Sequence, residues 1–148
     1  MSQPQVSYRQ QYVSGVLAIQ FDQFPATTDV YVLNRGQAAG TAKVQFWCVP
    51  GPKLVAEIED AAAPGSMFRA YAELQSQHNP LLGDYFWVEV WVTSPDLIPT
   101  CTFTAAPGGT AQQTQMLAYF APGDFAQFTL PEHPGLPPGP PLPPPVAP

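Results

Sequence analysis

Polar and apolar positions alternate along most of the first 130 residues, and the period is two. The clearest case sets Ala42, Val44, Phe46 and Cys48 against Thr41, Lys43, Gln45 and Trp47. Leu54, Ala56 and Ile58 alternate in the same way with Val55, Glu57 and Glu59. Successive side chains of a β-strand point to opposite faces, so this period predicts strands with one face in a core. The predicted strands are Tyr12–Phe21, Thr28–Asn34, Thr41–Val49, Lys53–Glu59, Met67–Leu74, Tyr85–Thr93, Leu97–Thr104, Thr114–Phe120 and Phe125–Leu130. Turn chemistry separates them, as in Asn34-Arg35-Gly36, Pro50-Gly51-Pro52, Pro64-Gly65, Ser94-Pro95-Asp96, Pro107-Gly108-Gly109 and Pro122-Gly123-Asp124. Two segments tempt a helix reading, Glu57 to Ala63 and Arg69 to Gln77. The first runs into Pro64, and the second alternates Phe68, Ala70, Ala72 and Leu74, so it is read as a strand.

Many short strands with regular turns predict an all-β fold. The expectation is an antiparallel β-sandwich, jelly-roll-like, of about eight to nine strands with an extended Pro-rich C-terminal arm. An immunoglobulin domain is excluded by the positions around its two cysteines. Trp47 precedes Cys48 directly, and Pro99 stands where a tyrosine would precede Cys101 by two. Pro99 also predicts that Leu97–Thr104 is an edge strand, since proline lacks a ladder donor.

One predicted strand breaks the alternation. In Tyr85–Val92, Phe86, Val88, Val90 and Val92 form an ordinary core face, while the opposite face carries Tyr85, Trp87, Glu89 and Trp91. Trp47 has the same outward parity on its own strand, and Tyr31 joins them if its strand has the matching phase. The predicted interaction face is therefore Trp47, Tyr85, Trp87 and Trp91. A large apolar surface of this kind asks for a cover.

Composition changes the picture at the C-terminus. Half of the 20 prolines lie in residues 131–148, which divides the chain into a β-sandwich domain, 1–130, and a Pro-rich tail, 131–148. An extended polyproline II arm of that length reaches roughly 55 Å at about 3.1 Å per residue. Gly135 and Gly139 are four apart, so the tail is not collagen-like. Leu136, Leu142 and Val146 are its apolar residues and the expected docking contacts. Its PxxP spacings lack a flanking Arg or Lys to orient a proline-binding domain.

Charge narrows the functions. Charged residues make up 11% of the chain, under half of the roughly 25% usual for soluble proteins, which leaves little to oppose association. Arg9, Arg35, Lys43, Lys53 and Arg69 are scattered, and the net charge is −6, so no nucleic-acid footprint exists. No apolar run approaches the roughly 20 residues of a spanning helix, and no secretory signal pattern is present. A soluble protein without membrane insertion is expected, its location undetermined, with a virion, cell or spore surface as candidates. Cys48 and Cys101 do not form a disulfide framework, and two buried thiols are expected in preference to one inter-strand bridge.

Catalytic chemistry finds no support. His78 and His133 are the only histidines, and neither a metal-ligand spacing nor a nucleophile elbow occurs. Glu57, Glu59 and Asp60 are the one acidic cluster, read as a charged, solvated strand edge. No enzyme activity, catalytic residue, cofactor or metal is expected.

The segment Asp29-Val30-Tyr31-Val32-Leu33-Asn34-Arg35-Gly36 leading into Ala42-Lys43-Val44-Gln45-Phe46 resembles a strand–Asn-x-Gly–strand hairpin. Such hairpins occur in small bacterial β-sandwich proteins of the sensory-rhodopsin-transducer and spore-surface type. Trp87–Pro95 with Ile98-Pro99-Thr100 resembles their closing strands. The resemblance implies an oligomeric jelly-roll-like sandwich without catalysis, an architecture shared by viral decoration proteins. Together these readings point to a structural or interaction protein that forms homo-oligomers or joins a larger assembly. The alternative is a carbohydrate- or peptide-binding module using the same tryptophans, with Glu89, Gln45 and Lys43 supplying polar contacts to a glycan.

Overall fold

In a computed structural model, residues 6–18, 26–49, 51–75, 85–105 and 115–131 are described. They form two antiparallel sheets packed face to face, the predicted sandwich. Among the described residues there are ten strands: β1 (Gln10–Val13), β2 (Leu17–Ala18), β3 (Ala26–Asn34), β4 (Gly40–Val49), β5 (Lys53–Ala62), β6 (Met67–Gln75), β7 (Tyr85–Val92), β8 (Leu97–Ala105), β9 (Gln115–Phe120) and β10 (Ala126–Thr129). A 3-10 turn, Pro122–Asp124, joins the last two. Over their described residues both helix-tempting segments fall on strands, β5 and β6, and the predicted Tyr12–Phe21, described as far as Ala18, falls on two short strands, β1 and β2.

The first sheet runs β10-β1-β7-β4-β5, with β2 also paired to β7, and the second runs β6-β3-β8-β9. Alternation places the core as expected. Val44, Phe46 and Cys48 of β4 and Phe86, Val88, Val90 and Val92 of β7 face Val30 and Val32 of β3 and Cys101 and Phe103 of β8. The seven β4 and β7 residues are at most 1% exposed. Full burial of each Val or Phe contributes about 1.5–3 kcal/mol. Cys48 and Cys101 lie on different sheets, buried and without a disulfide.

The resembled hairpin is not a hairpin. β3 and β4 belong to different sheets, and the segment between them is a crossover. Asn34 governs it. Its side chain is 1% exposed. The amide Nδ2 donates to the carbonyls of Ala38 and Ala62, both at 2.9 Å, and Oδ1 accepts from the Gly36 amide at 2.8 Å. These bonds tie the end of β3 to the end of β5 and bend the chain out of the second sheet. A Cβ at position 36 would stand 2.6 Å from the Asp96 carboxylate, so a larger residue there has to displace that exposed side chain.

Pro99 is also placed differently from the sequence expectation. β8 is an interior strand, flanked by β3 and β9. β9 pairs only with Cys101–Ala105, so it stops short of Pro99, and its ladder does not need the missing donor.

The sandwich has two unlike sides. β5 and β6 close one side and bear Lys53, Glu57, Glu59, Asp60, Arg69 and Glu73. The acidic cluster thus lies on an edge strand, as read from the sequence. β9 and β10 close the other side and contain no charged residue.

Candidate functional site

Register determines what stands on the outer face of the first sheet. β4 and β7 pair so that Lys43 lies opposite Trp91, Gln45 opposite Glu89, Trp47 opposite Trp87 and Val49 opposite Tyr85. β5 adds Glu59 beside Lys43 and Glu57 beside Gln45. On the other flank, β1 sets Gln11 beside Trp91, and β10 sets Phe128 beside Gln11. One row therefore reads Phe128, Gln11, Trp91, Lys43, Glu59, and the next carries Val13, Glu89, Gln45 and Glu57. Trp87 and Trp47 follow, then Tyr85 and Val49. All four residues of the predicted face are brought together.

The rings form two groups. Trp47 and Trp87 stack with centroids 6.0 Å apart and planes inclined by 9°. Trp91 stands four residues from Trp87 along β7, so the Cα atoms of the two are about 14 Å apart at roughly 3.4 Å per residue. It meets Tyr8 edge to face at 6.4 Å. The Lys43 Nζ lies 5.0 Å from the Tyr8 ring centre and 5.2 Å from that of Trp91, so both rings share one cation. The three tryptophans are partly buried, whereas Tyr85 is 48% exposed.

Between the aromatic groups runs a closed set of hydrogen bonds. The Gln45 Oε1 accepts from the indole N–H of both Trp47 and Trp91, each at 3.2 Å. Gln45 Nε2 donates to Glu57 at 2.7 Å. Glu89 accepts from the Trp87 indole at 2.9 Å through one oxygen and from Gln11 Nε2 at 2.7 Å through the other. Tyr8 donates its hydroxyl to Glu59. Every indole N–H on this face already has an acceptor within the protein.

Tyr8 was not read from the sequence as part of the face. Extending the parity of β1 would turn it inward with Tyr12, but the regular register ends at Gln10 and the Arg9 amide bonds to Val92, which is already the partner of Gln10, so the alternation no longer applies. No sequence signal marks that departure. Its hydroxyl is held protonated above the usual tyrosine range, first by burial, then by the bond to Glu59 and the charges of Glu59 and Glu57.

Tyr31 does not join the face. It lies on β3, on the outer side of the second sheet, opposite Arg69 and Thr100. Arg69 pairs there with Asp29 at 2.5 Å, and the exposed Tyr71 and Tyr119 flank the same surface. The docking residues Leu136, Leu142 and Val146, together with His78 and His133, lie outside the described residues. Among the described residues no group of three or more His, Cys, Asp or Glu side chains could hold a metal ion. No described helix is long and apolar enough to cross a membrane.

No family model matches the chain, and no curated protein matches it either. Two solved structures are similar at low levels. Thermotoga maritima 1070 aligns with a TM-score of 0.43 and 7% identity, over 83% of this chain and 91% of that one. FlgD from Xanthomonas campestris, described as a flagellar hook-capping protein, aligns with a TM-score of 0.34 and 12% identity, over 78% of this chain and 70% of that one. Neither likeness is close enough to bear on function.

Proposed function

We propose that this protein is a non-enzymatic structural or interaction protein that self-assembles or decorates a larger assembly, using the outer face of the β4–β7 sheet as its contact surface. The observation that carries the reading is the closed hydrogen bonding around the tryptophans. A partly buried N–H that loses water without gaining an acceptor costs about 1–3 kcal/mol. Here Gln45 and Glu89 supply the acceptors in advance. A protein surface can therefore cover the rings and gain their apolar area without stranding a donor.

The same bonds count against the glycan alternative. Sugar recognition needs polar side chains free to bond hydroxyls beside the ring platform. Both functional atoms of Gln45 and both Glu89 oxygens are engaged, and Lys43 is held over two rings. The low charge fits the assembly reading, with the Pro-rich tail as an arm that docks on a neighbour.

Sedimentation of the full chain, Trp87→Ala, Trp91→Ala and a chain ending at Leu130 tests this. The reading predicts a higher-order species that each change weakens. A wild-type chain that remains monomeric at high concentration, or saturable quenching of tryptophan fluorescence by a sugar, would overturn it.

A further inference from the structure

β10 is an unusual strand. All four of its residues, Ala126, Gln127, Phe128 and Thr129, are exposed, so neither of its faces contributes to the core. Its described ladder is with β1 alone. The Leu130 amide donates to the Arg9 carbonyl at 2.8 Å. Antiparallel alternation then directs the backbone groups of Ala126 and Phe128 toward β1, and those of Gln127 and Thr129 outward. Proteins protect such edges with charge, inward lysine or proline. The opposite side of the sandwich does so with the charges on β5 and β6, whereas β10 carries none.

The chain's own terminus is a poor candidate to fill this edge. It leaves β10 at Leu130, and of residues 131–148 ten are proline and have no N–H to donate. A second copy of β10 has what the edge requires. We infer that two copies of this protein pair through β10, antiparallel about a two-fold axis at Phe128. In that register Gln127 stands opposite Thr129 of the second copy. The outward amides and carbonyls of both strands then close about four hydrogen bonds. Phe128 meets its own counterpart on the outer face, where side chains directly opposite approach closely. The two copies form one continuous sheet, and their tryptophan faces become one surface. An interface built on a four-residue strand is small beside the roughly 1,600 Å² of a standard interface. Its dissociation constant therefore belongs in the micromolar range or weaker, roughly 1 µM to 1 mM.

Thr129→Pro is the direct test, because it deletes an outward N–H and leaves the donors that face β1 in place. Sedimentation over roughly 1 µM to 1 mM should show a monomer–dimer equilibrium for the full chain. Thr129→Pro should be weaker by at least about tenfold, with an unchanged circular dichroism spectrum. Phe128→Lys, which sets two like charges opposite each other across the axis, should do the same and serves if the proline variant does not fold. Dimerisation unaffected by both substitutions would overturn the pairing, as would a wild-type chain that is monomeric throughout. Amide exchange at Gln127 and Thr129 separates the other occupant. Protection that rises with protein concentration supports the second copy. Protection in dilute monomer that vanishes on removing residues 132–148 would assign the edge to the tail and refute the proposal. This edge and the proposed tryptophan contact are distinguishable. Loss of association in Thr129→Pro but not in Trp87→Ala leaves the edge standing and removes the face, and the opposite pattern does the reverse.

Discussion

Gln45→Met separates what stabilises the monomer from what lets it associate. The substitution keeps the length of the side chain and removes three hydrogen bonds, two from indole donors and one to Glu57. In the isolated protein the three tryptophan-face partners are exposed or only partly buried, so water replaces the lost acceptor. Net contributions of such bonds are about 0.5–1.5 kcal/mol, and wetting brings the sum to roughly 1 kcal/mol. At about 2–4 °C per kcal/mol for a chain of this size, the melting temperature should fall by only a few degrees. Once the face is covered, water can no longer reach Trp47 and Trp91. Each stranded N–H then costs about 1–3 kcal/mol, so association weakens by about 2–6 kcal/mol, a factor of roughly 30 or more. Thermal melts at low concentration and sedimentation at high concentration measure the two effects separately. Equal association of wild type and Gln45→Met would refute the argument that pre-bonded indoles make this a contact surface. A melting temperature lowered by well over ten degrees would show that Gln45 belongs to the fold instead.

Further outcomes follow from other groups. Asn34→Ala strands the buried Ala62 carbonyl and leaves the more accessible Ala38 carbonyl and Gly36 amide to water at the β3–β4 crossover, and denaturant unfolding should show a loss of about 2–4 kcal/mol. Tyr8 has its pKa raised in the folded protein, so the stability from its protonated clasp on Glu59 is complete below the ordinary tyrosine value near 10. It is lost as pH rises through the folded value, and an alkaline absorbance titration should lose its last-ionising component in Tyr8→Phe. The Cys101 thiol is pushed up to about 12, mainly by burial, and the Cys48 thiol is raised by burial as well. A thiol reagent at mildly alkaline pH should therefore label Cys101 at the rate of unfolding, and rapid labelling of the native protein would contradict its placement.

What the sequence made legible was local. The alternation in Tyr85–Val92 assigns Phe86, Val88, Val90 and Val92 to the core and the tryptophans to the outside, and Trp47 takes the same outer face, where the β4–β7 register sets it beside Trp87. Parity says which side of a strand a residue takes but not which sheet the strand joins. That is why Tyr31, on an outward position, lies on the far side of the sandwich, and why Asp29–Phe46 reads as a hairpin when it is a crossover. The buried Asn34 that makes the crossover looks, in sequence, like any turn asparagine. Tyr8 escaped for the complementary reason, since it reaches the face from outside the ladder. Pro99 shows the limit of a residue-level rule, because an interior strand can be locally unflanked where its neighbour ends.

The parallel stack of Trp47 on Trp87 also supplies an optical marker. The two rings belong to the central strands β4 and β7, whose first residues, Gly40 and Tyr85, are separated in sequence by the excursion through β5 and β6. Their emission as a contacting pair exists only while those strands are joined in register. Trp91, bonded to the same glutamine but paired with Tyr8, emits from a different environment on the same strand. Intrinsic fluorescence, with Trp91→Phe to isolate the stacked pair, therefore reports directly on whether β4 and β7 have paired at the centre of the first sheet, with no label added.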